Sequence, residues 1–202
     1  LFPEGLLRLE DVKDLPEKVV KEAVFGSQFH TICSGGAYLN PEYIELFERF
    51  GIQILQGYGM TECSPVISTT VAWNVKKNSV GQLLPNCEAK TVDGELWVRG
   101  SSVMQGYYKM PEETKTALKD GWLCTGDLGY VDEERFIYLT GRKKNLIITK
   151  NGENVSPEEL ENKLSSSRLV QEVLVREAKG VIEAEIYPDE EYAKKQGLER
   201  EE

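Results

Sequence analysis

The stretch FHTICSGGAYLNPEYIELFERFGIQILQGYG, residues 29–59, decides the fold because two strand-like segments in it flank one helical segment. The helical segment begins at Asn40 and ends at Gly51, with apolar side chains at helical spacing between them. Apolar runs at Phe29–Cys33 and Gln53–Gln56 supply the strands. This order predicts one right-handed βαβ unit with parallel strands.

Each predicted strand runs into a glycine-rich turn. Gly35–Ala37 follow the first strand, and Gly57–Gly59 follow the second. The carboxyl ends of parallel strands meet at one edge of a sheet, where open α/β sheets bind ligands. Because Thr61 and Glu62 come directly afterwards, this edge is either a nucleotide site or a simple turn with a solvated Glu.

The flanking regions have different sequence patterns. Asp14 and Pro16 favour a capped helix that Gly26 stops. After Pro65 the sequence predicts a small antiparallel barrel or sandwich, since short apolar runs alternate with glycines. Its candidate strands are Val80–Thr91, Glu95–Arg99 and Phe136–Thr140, with one candidate helix at Glu112–Lys119.

A third sequence pattern starts near Gly141. Asn151 and Gly152 predict a hairpin turn, and Ser156 predicts the cap of a helix at 160–164. Two further strands are predicted at Val170–Val175 and Val181–Tyr187, before a polar tail. A single βαβ unit cannot cover both faces of its sheet, so we expect the chain to begin and end inside larger domains.

Composition excludes several classes of function. The net charge of -10 argues against a nucleic-acid partner, because phosphate binding draws on clustered Lys and Arg. His30 is the only histidine, and it reads as a partly buried structural residue in a strand. Away from His30, a Ser-His or Cys-His nucleophile centre is therefore excluded. The four cysteines form no C-x-x-C pair and are expected to be buried free thiols of a reducing cytosol.

Membrane insertion is not predicted. No apolar run approaches the roughly 20 residues of a membrane-spanning helix. Residues 1–9 lack a basic leader and a small-residue cleavage site. A cytoplasmic location is expected, and peripheral membrane contact stays open for a larger parent protein.

Five stretches occur in a fixed order: SGGAYL at 34–39, QGYGMTE at 56–62, GELWVRGSSVMQGYYKMPEET at 94–114, DGWLCTGDLGYVDEERFIYLTGRKKNLI at 120–147 and NGENVSPEELE at 151–161. Together they resemble the C-terminal part of adenylate-forming (AMP-binding) enzymes. That superfamily includes acyl- and aryl-CoA synthetases, adenylation domains of peptide synthetases and beetle luciferases. The amino-acid sequence of residues 141–161 is most similar to that of the long-chain fatty acid–CoA ligase branch.

The resemblance implies an α/β plus β fold in three parts. These are a partial βαβ unit of the large adenylation domain at 1–64, a small antiparallel β-barrel at 65–141, and the start of a small α+β C-terminal domain at 142–202. It also implies a two-step reaction. A carboxylic acid, expected to be a fatty acid, attacks the α-phosphate of ATP with Mg²⁺ present, and CoA then displaces AMP from the acyl-AMP.

The resemblance carries over nucleotide-binding roles position by position. The matched residues are Gly35, Gly36, Ala37, Gly57, Tyr58, Gly59, Thr61, Asp127 and Arg142. Tyr58 would stack on adenine, Asp127 would accept hydrogen bonds from both ribose hydroxyls, and Arg142 would contact ribose or phosphate. Without the resemblance, a buried tyrosine, a turn-capping aspartate and a surface arginine are the simpler interpretations.

Four residues match the chemistry and its conformational change. Thr61 would donate its hydroxyl to the α-phosphate, and Glu62 would help hold Mg²⁺, a hard cation that prefers carboxylate and phosphate oxygens. Lys144 matches the hinge between the domains, and Gly152 matches a loop that lines the CoA tunnel. An ordinary Asn-Gly turn is compatible with the last assignment.

Two elements of the resembled family have no match in this sequence. They are a Ser/Thr/Gly-rich loop ending in Pro-Lys-Gly, which grips the β- and γ-phosphates, and a catalytic lysine near the C-terminus. We therefore expect a fragment of an acyl-CoA synthetase that is inactive by itself. An acyl-AMP ligase that charges a carrier protein, or a non-catalytic AMP-binding module, remains the alternative.

Overall fold

The computed structural model describes residues 16–149 and 152–198, which form two compact units. The first unit consists of residues 16–88, 100–105 and 132–137. The second unit consists of residues 89–99, 106–131, 138–149 and 152–198. The predicted boundary between a large and a small domain at residues 141 and 142 stays a prediction.

The first unit is built on a four-stranded mixed sheet in the order β1-β2-β3-β4. Its strands are β1 Thr31–Gly35, β2 Gln53–Gly59, β3 Val66–Thr69 and β4 Gln82–Leu83. β1 and β2 are parallel, whereas the β2–β3 and β3–β4 pairs are antiparallel. Helix α2, Pro41–Arg49, connects the two parallel strands, so the predicted βαβ unit is confirmed, while its right-handed crossover stays a prediction.

Local signals explain the bounds of α2. The side chain of Asn40 accepts a hydrogen bond from the Glu42 backbone N–H at 2.9 Å, and Pro41 occupies the first turn. Gly51 follows with φ +66°, a conformation that favours glycine. The helix therefore begins and ends where the sequence predicts.

Helix α1, Glu17–Val20, continues into one π-helical turn at Lys21–Phe25 and stops at Gly26 as expected. The predicted cap at Asp14 lies outside the described residues. The helices pack on the sheet through one apolar cluster: Val20, Leu46, Phe50 and Ile52 are buried, with Phe25, Ile32 and Phe47 against them. Each such side chain contributes about 1.5–3 kcal/mol when fully buried.

Two strand predictions in the first unit need correction. The strand predicted at 53–56 continues through Tyr58 to Gly59, because β3 pairs with it along these residues. The predicted Gly-Tyr-Gly turn is therefore extended strand. The strand predicted at 80–91 is split around Pro85, which has no N–H to donate to a sheet.

The second unit contains a five-stranded antiparallel sheet. Its pairing runs β5-β6-β8-β7, and β9 also pairs with β8. The strands are β5 Cys87–Val92, β6 Glu95–Gly100, β7 Leu118–Lys119, β8 Trp122–Val131 and β9 Ile137–Arg142. The predicted antiparallel β architecture is confirmed to that extent, while closure into a barrel stays a prediction.

The ten-residue strand β8 is absent from the sequence-based prediction. Its glycines read as breaks, but Gly129 is where the β9 backbone comes close. A Cβ atom at Gly129 would lie 2.2 Å from the Tyr138 carbonyl oxygen. The predicted helix at 112–119 also ends early: α3 is Pro111–Ala117, because the next two residues form β7.

The remainder of the second unit follows its sequence signals. Strands β10 Ile147–Ile148 and β11 Asn154–Val155 form the predicted hairpin, although Asn151 lies outside the described residues. Helix α4, Pro157–Ser165, starts at the predicted Ser156 cap. The predicted final strands are β12 Val170–Ala178 and β13 Val181–Pro188, which pair antiparallel. The short helix α5, Glu190–Lys195, was not predicted, and Asp189 caps it.

The thiols and the histidine depart from expectation. All four cysteines are free, but only Cys63 and Cys87 are buried, while Cys33 is exposed. His30 is exposed and precedes β1, with Nδ1 lying 3.0 Å from Lys21 Nζ. Among the described residues, none of the helices is long and apolar enough to cross a membrane.

Candidate nucleotide-binding site

The two glycine segments lie side by side at the carboxyl ends of β1 and β2. Gly35 pairs directly with Gly57 in the parallel register. A Cβ atom at Gly35 would lie 2.8 Å from the Gly57 carbonyl oxygen, so a side chain there would collide with the main chain. A Cβ atom at Gly36 would meet nothing within 4 Å. The predicted juxtaposition of the two segments is confirmed, and Gly36 and the exposed Ala37 leave open space beside the backbone.

Tyr58 lies inside strand β2, opposite Ser68 of β3, and its side chain is 8% exposed. A Cβ atom at the neighbouring Gly59 would lie 1.9 Å from the Pro65 carbonyl oxygen. Only glycine fits where the chain returns this closely. The aromatic ring is therefore held on a rigid strand rather than on a turn.

A short 3₁₀ turn, Thr61–Cys63, follows β2 and carries the hydroxyl and carboxylate. Thr61 is exposed and Glu62 is half-buried. The turn is anchored from two sides: the Glu62 carbonyl accepts the Met104 N–H at 2.8 Å, and Cys63 is fully buried. Burial raises the pKa of the Cys63 thiol, whose Sγ lies 3.4 Å from Ser102 Oγ. Cys63 thus acts as an apolar anchor that presents its two polar neighbours.

The turn offers a metal ion a single carboxylate, that of Glu62. In the part of the chain that the structure describes, no group of three or more His, Cys, Asp or Glu side chains could hold an ion. A closed zinc or calcium centre is therefore not formed by these residues. One carboxylate beside exposed polar groups suits Mg²⁺, which usually combines one or two protein carboxylates with phosphate oxygens and water.

In the second unit, Asp127 and Arg142 form an ion pair. Arg142 Nε lies 3.0 Å from Asp127 Oδ1, and the aspartate side chain is 8% exposed against 55% for the arginine. Asp127 lies in β8, and its backbone N–H donates to Thr125 Oγ1 at 3.1 Å. Arg142 is the last residue of β9. The strand pairing therefore brings two predicted site residues together from 15 positions apart in sequence (142 − 127).

Glu95 is the residue at this site that sequence reasoning missed. It is buried at the start of β6 and accepts hydrogen bonds from the Gly126 N–H at 2.9 Å, Trp97 Nε1 at 3.2 Å and Lys143 Nζ at 2.9 Å. Burial opposes its charge, but the three hydrogen bonds outweigh burial, so the pKa of Glu95 is lowered. No local signal marks this role, because strand alternation places Glu95 on the face opposite the core residues Leu96 and Val98.

The residues matched to the hinge and the CoA loop are exposed. Lys144 lies in a single 3₁₀ turn, Lys143–Asn145, directly after β9. Gly152 has φ +80°, and its N–H donates to the Thr149 carbonyl oxygen at 2.9 Å in the β10–β11 turn. A turn and a hairpin tip fit these assignments, which stay predictions.

The predicted site residues fall into two groups. Those from Gly35 to Glu62 belong to the first unit, and Asp127, Arg142, Lys144 and Gly152 belong to the second. That Tyr58 and Asp127 hold one nucleoside stays a prediction.

Residues 2–108 match the family described as AMP-binding enzyme. This chain belongs to the AMP-binding enzyme family. A long-chain-fatty-acid–CoA ligase of Mycobacterium bovis is 39% identical over 171 residues, which are 84% of this chain. A long-chain-fatty-acid–CoA ligase of Bacillus subtilis is 39% identical over 163 residues, or 74% of this chain. The predicted resemblance is confirmed.

Solved structures agree with this assignment. The o-succinylbenzoate CoA synthetase of Bacillus subtilis, in complex with its acyl-adenylate intermediate, has 33% identity and a TM-score of 0.72 over 84% of this chain. The same enzyme in complex with ATP and magnesium has 36% identity and a TM-score of 0.68 over 77% of the chain. The chain spans 28% and 29% of the two ligases' lengths, and 40% and 36% of the two solved chains.

Proposed function

We propose that this chain is the C-terminal portion of an acyl-CoA synthetase that activates a carboxylic acid with ATP and transfers the acyl group to CoA. A fatty acid is the proposed substrate, because both ligases above are named for long-chain fatty acids. The observation that carries the proposal is the glycine-lined edge of β1 and β2 followed at once by Thr61 and Glu62, in a chain of the AMP-binding family. Such an edge is where α/β sheets bind ligands.

The first unit would hold the purine and the reacting phosphate. Gly36 and Ala37 leave room for the adenine and acyl group, with backbone groups as hydrogen-bond partners. Tyr58 would offer an aromatic surface on a strand that cannot shift easily. The exposed Thr61 hydroxyl would donate to the α-phosphate, where charge accumulates as the carboxylate attacks.

The chemistry of the donor set also fits Mg²⁺ at Glu62. The cation, when bound, would neutralise charge on the phosphate oxygens and raise the electrophilicity of the α-phosphorus. The half-buried Glu62 carboxylate would hold it from the protein side, and its main chain is fixed by Met104. Substrate phosphates and water would complete the coordination.

The second unit would hold the ribose. A carboxylate accepts hydrogen bonds from both hydroxyls of a vicinal diol, as in dinucleotide sites. Asp127 would take this role, with Arg142 beside it to contact ribose or phosphate. Lys144 would be the hinge about which the residues after it rotate, and Gly152 would then approach the CoA thiol.

Two alternatives stay in view. An acyl-AMP ligase would pass the acyl group to a carrier protein instead of CoA, and a non-catalytic module would only bind AMP. The relatives' names favour CoA as acceptor. The acid itself is open, since relatives include ligases named for fatty acids and for succinylbenzoate. A cytoplasmic location and peripheral membrane contact belong to the same proposal.

The test is an ATP–pyrophosphate exchange screen of the full-length protein that contains this chain, across acids from acetate to palmitate. Exchange that depends on a fatty acid is expected, followed by acyl-CoA formation once CoA is added. Exchange without transfer to CoA would favour the carrier-protein ligase, and no exchange with any acid would favour the binding module. Pyrophosphate release by the 202-residue chain alone, with ATP and a fatty acid, would contradict the proposal that it is an inactive portion.

A further inference from the structure

The buried carboxylate of Glu95 holds the part of β8 that carries Asp127. β6 and β8 change register here, with Glu95 opposite Leu128 and Trp97 opposite Cys124. Between these two pairs, one residue of β6 (Leu96) faces three residues of β8 (Thr125–Asp127), and the surplus forms a bulge.

Backbone geometry explains what the bulge needs. Gly126 has φ +74°, so its N–H turns away from the regular ladder and donates to Glu95 Oε1 instead. Thr125 Oγ1 donates to the Leu96 carbonyl oxygen at 2.7 Å and accepts from the Asp127 N–H. A partly buried N–H that lacks an acceptor carries a desolvation cost, so the Glu95 carboxylate stabilises this conformation.

The same carboxylate also holds the end of β9. Lys143 Nζ lies 2.9 Å from Glu95 Oε2, and the preceding Arg142 pairs with Asp127. Two consecutive cations therefore bind the carboxylate of Glu95 on the opposite strand and that of Asp127 within the bulge. Charge-assisted hydrogen bonds of this kind are about twice as strong as neutral ones.

We propose that Glu95 is a positioning residue, which through Gly126 and Lys143 sets the Asp127 carboxylate and the Arg142 guanidinium in the geometry that binds the ribose of an adenylate. This inference rests on the proposed function, because the ligand role of Asp127 does so. Glu95 itself makes no contact with ligand in this scheme. Its substitution should change nucleotide affinity by more than any accompanying loss of stability explains.

The experiment uses the ¹⁵N-labelled chain, titrated with AMP and followed by NMR. The amide signals of Gly126 and Asp127 report the bulge, and their shifts with AMP give a dissociation constant even when binding is weak. E95A should shift both amide signals in the free protein and weaken AMP binding by about tenfold or more, as expected when a buried charged acceptor is lost. E95Q keeps one acceptor oxygen, so a smaller loss is expected, and K143M should resemble E95Q.

Two control variants separate positioning from stability. E183Q changes an exposed glutamate of the second unit and should leave both readouts unchanged. V175A removes buried methyl groups from β12, so it should lower the unfolding midpoint while leaving AMP affinity unchanged. If E95A fails to fold, E95Q and K143M decide the matter.

The outcomes separate the two proposals. Wild-type chain that shows no AMP-dependent shifts would overturn nucleotide binding by this unit, and with it the role of Glu95. The positioning role alone would be overturned if the AMP affinities of E95Q and K143M stay within about twofold of the wild-type affinity. It would also be overturned if V175A weakens AMP binding as much as these variants do.

Discussion

Gly35 faces Gly57 across the parallel pair β1–β2, and a Cβ atom at residue 35 would lie 2.8 Å from the Gly57 carbonyl oxygen. Real Cβ atoms essentially never come that close to main-chain oxygen. The contact joins the ends of both strands of the βαβ unit, which is the edge that we propose binds the nucleotide. The pairing of the two strands therefore requires glycine at residue 35 even when no ligand is bound.

A substitution at this contact should be destabilising. We expect G35A to lower the free energy of unfolding by about 1–3 kcal/mol, because the added methyl group must push two paired strands apart. G57A is the matched control, since its Cβ atom would lie 3.7 Å from the Ser68 carbonyl oxygen, an ordinary contact. Urea denaturation of the three proteins measures the difference. Equal stability of G35A and G57A would show that the strands tolerate the methyl group.

Helix α4 offers a second prediction about stability. Ser156 Oγ accepts the Glu159 N–H at 3.4 Å and donates to Glu158 Oε2 at 2.9 Å. We expect S156A to cost about 1 kcal/mol, the usual loss for an N-cap residue. S165A removes an exposed hydroxyl at the other end of the helix and should change stability by less than about 0.5 kcal/mol. Thermal unfolding of both variants tests the cap, and equal midpoints would refute its contribution.

The predictable parts of the fold were those with local signals. Asn40, Gly51 and Ser156 mark helix ends through bonds to neighbouring residues, so the sequence near them was sufficient. Strand β8 has no such signal, because Gly129 indicates a break locally and is explained only by the close approach of the β9 backbone at Tyr138. The sequence around Tyr58 likewise predicts a turn, because only pairing with β3 makes this residue extended strand.

The candidate site divides along similar lines. The glycine segments and Thr61–Glu62 form nearly continuous motifs, so the resemblance could assign them. Glu95 could not be found that way, because its partners Gly126 and Lys143 lie 31 and 48 residues further along the chain. Its importance follows from a bulge and an ion pair that exist only once β6, β8 and β9 are assembled.

Glu95 also predicts a pH dependence of stability. Its pKa in the folded protein lies below the ordinary value of 4.5, so its ionised form stabilises the fold above that pH. This contribution is lost as the pH falls through the lowered folded pKa. We expect wild-type protein to be more stable than E95Q at pH 6, with the difference shrinking toward pH 3. Denaturation across this range measures it, and E183Q is the control for charge removal.

An opposite pattern would contradict this assignment. The pKa values of Asp132 and Glu158 are also lowered, but both groups are present in wild type and in E95Q. Their acid titration therefore cancels when the two proteins are compared. A difference that grew as the pH fell would mean that the Glu95 carboxylate is stabilised more in the unfolded chain.

The Arg142–Asp127 pair gives the last prediction, on the coupling of two site residues. The aspartate is 8% exposed and the arginine 55% exposed, so solvent screens the pair only from the arginine side. R142M leaves the buried carboxylate without this cation, and it should destabilise the protein more in the presence of Asp127 than in D127N. A double-mutant cycle of R142M and D127N should give a coupling energy of about 0.5–1 kcal/mol. Measured in 1 M NaCl, the coupling should persist in part, because a buried carboxylate is screened less than two exposed charges. A coupling energy of zero at low salt would mean that the two side chains contribute independently and that Arg142 does not hold Asp127 in place.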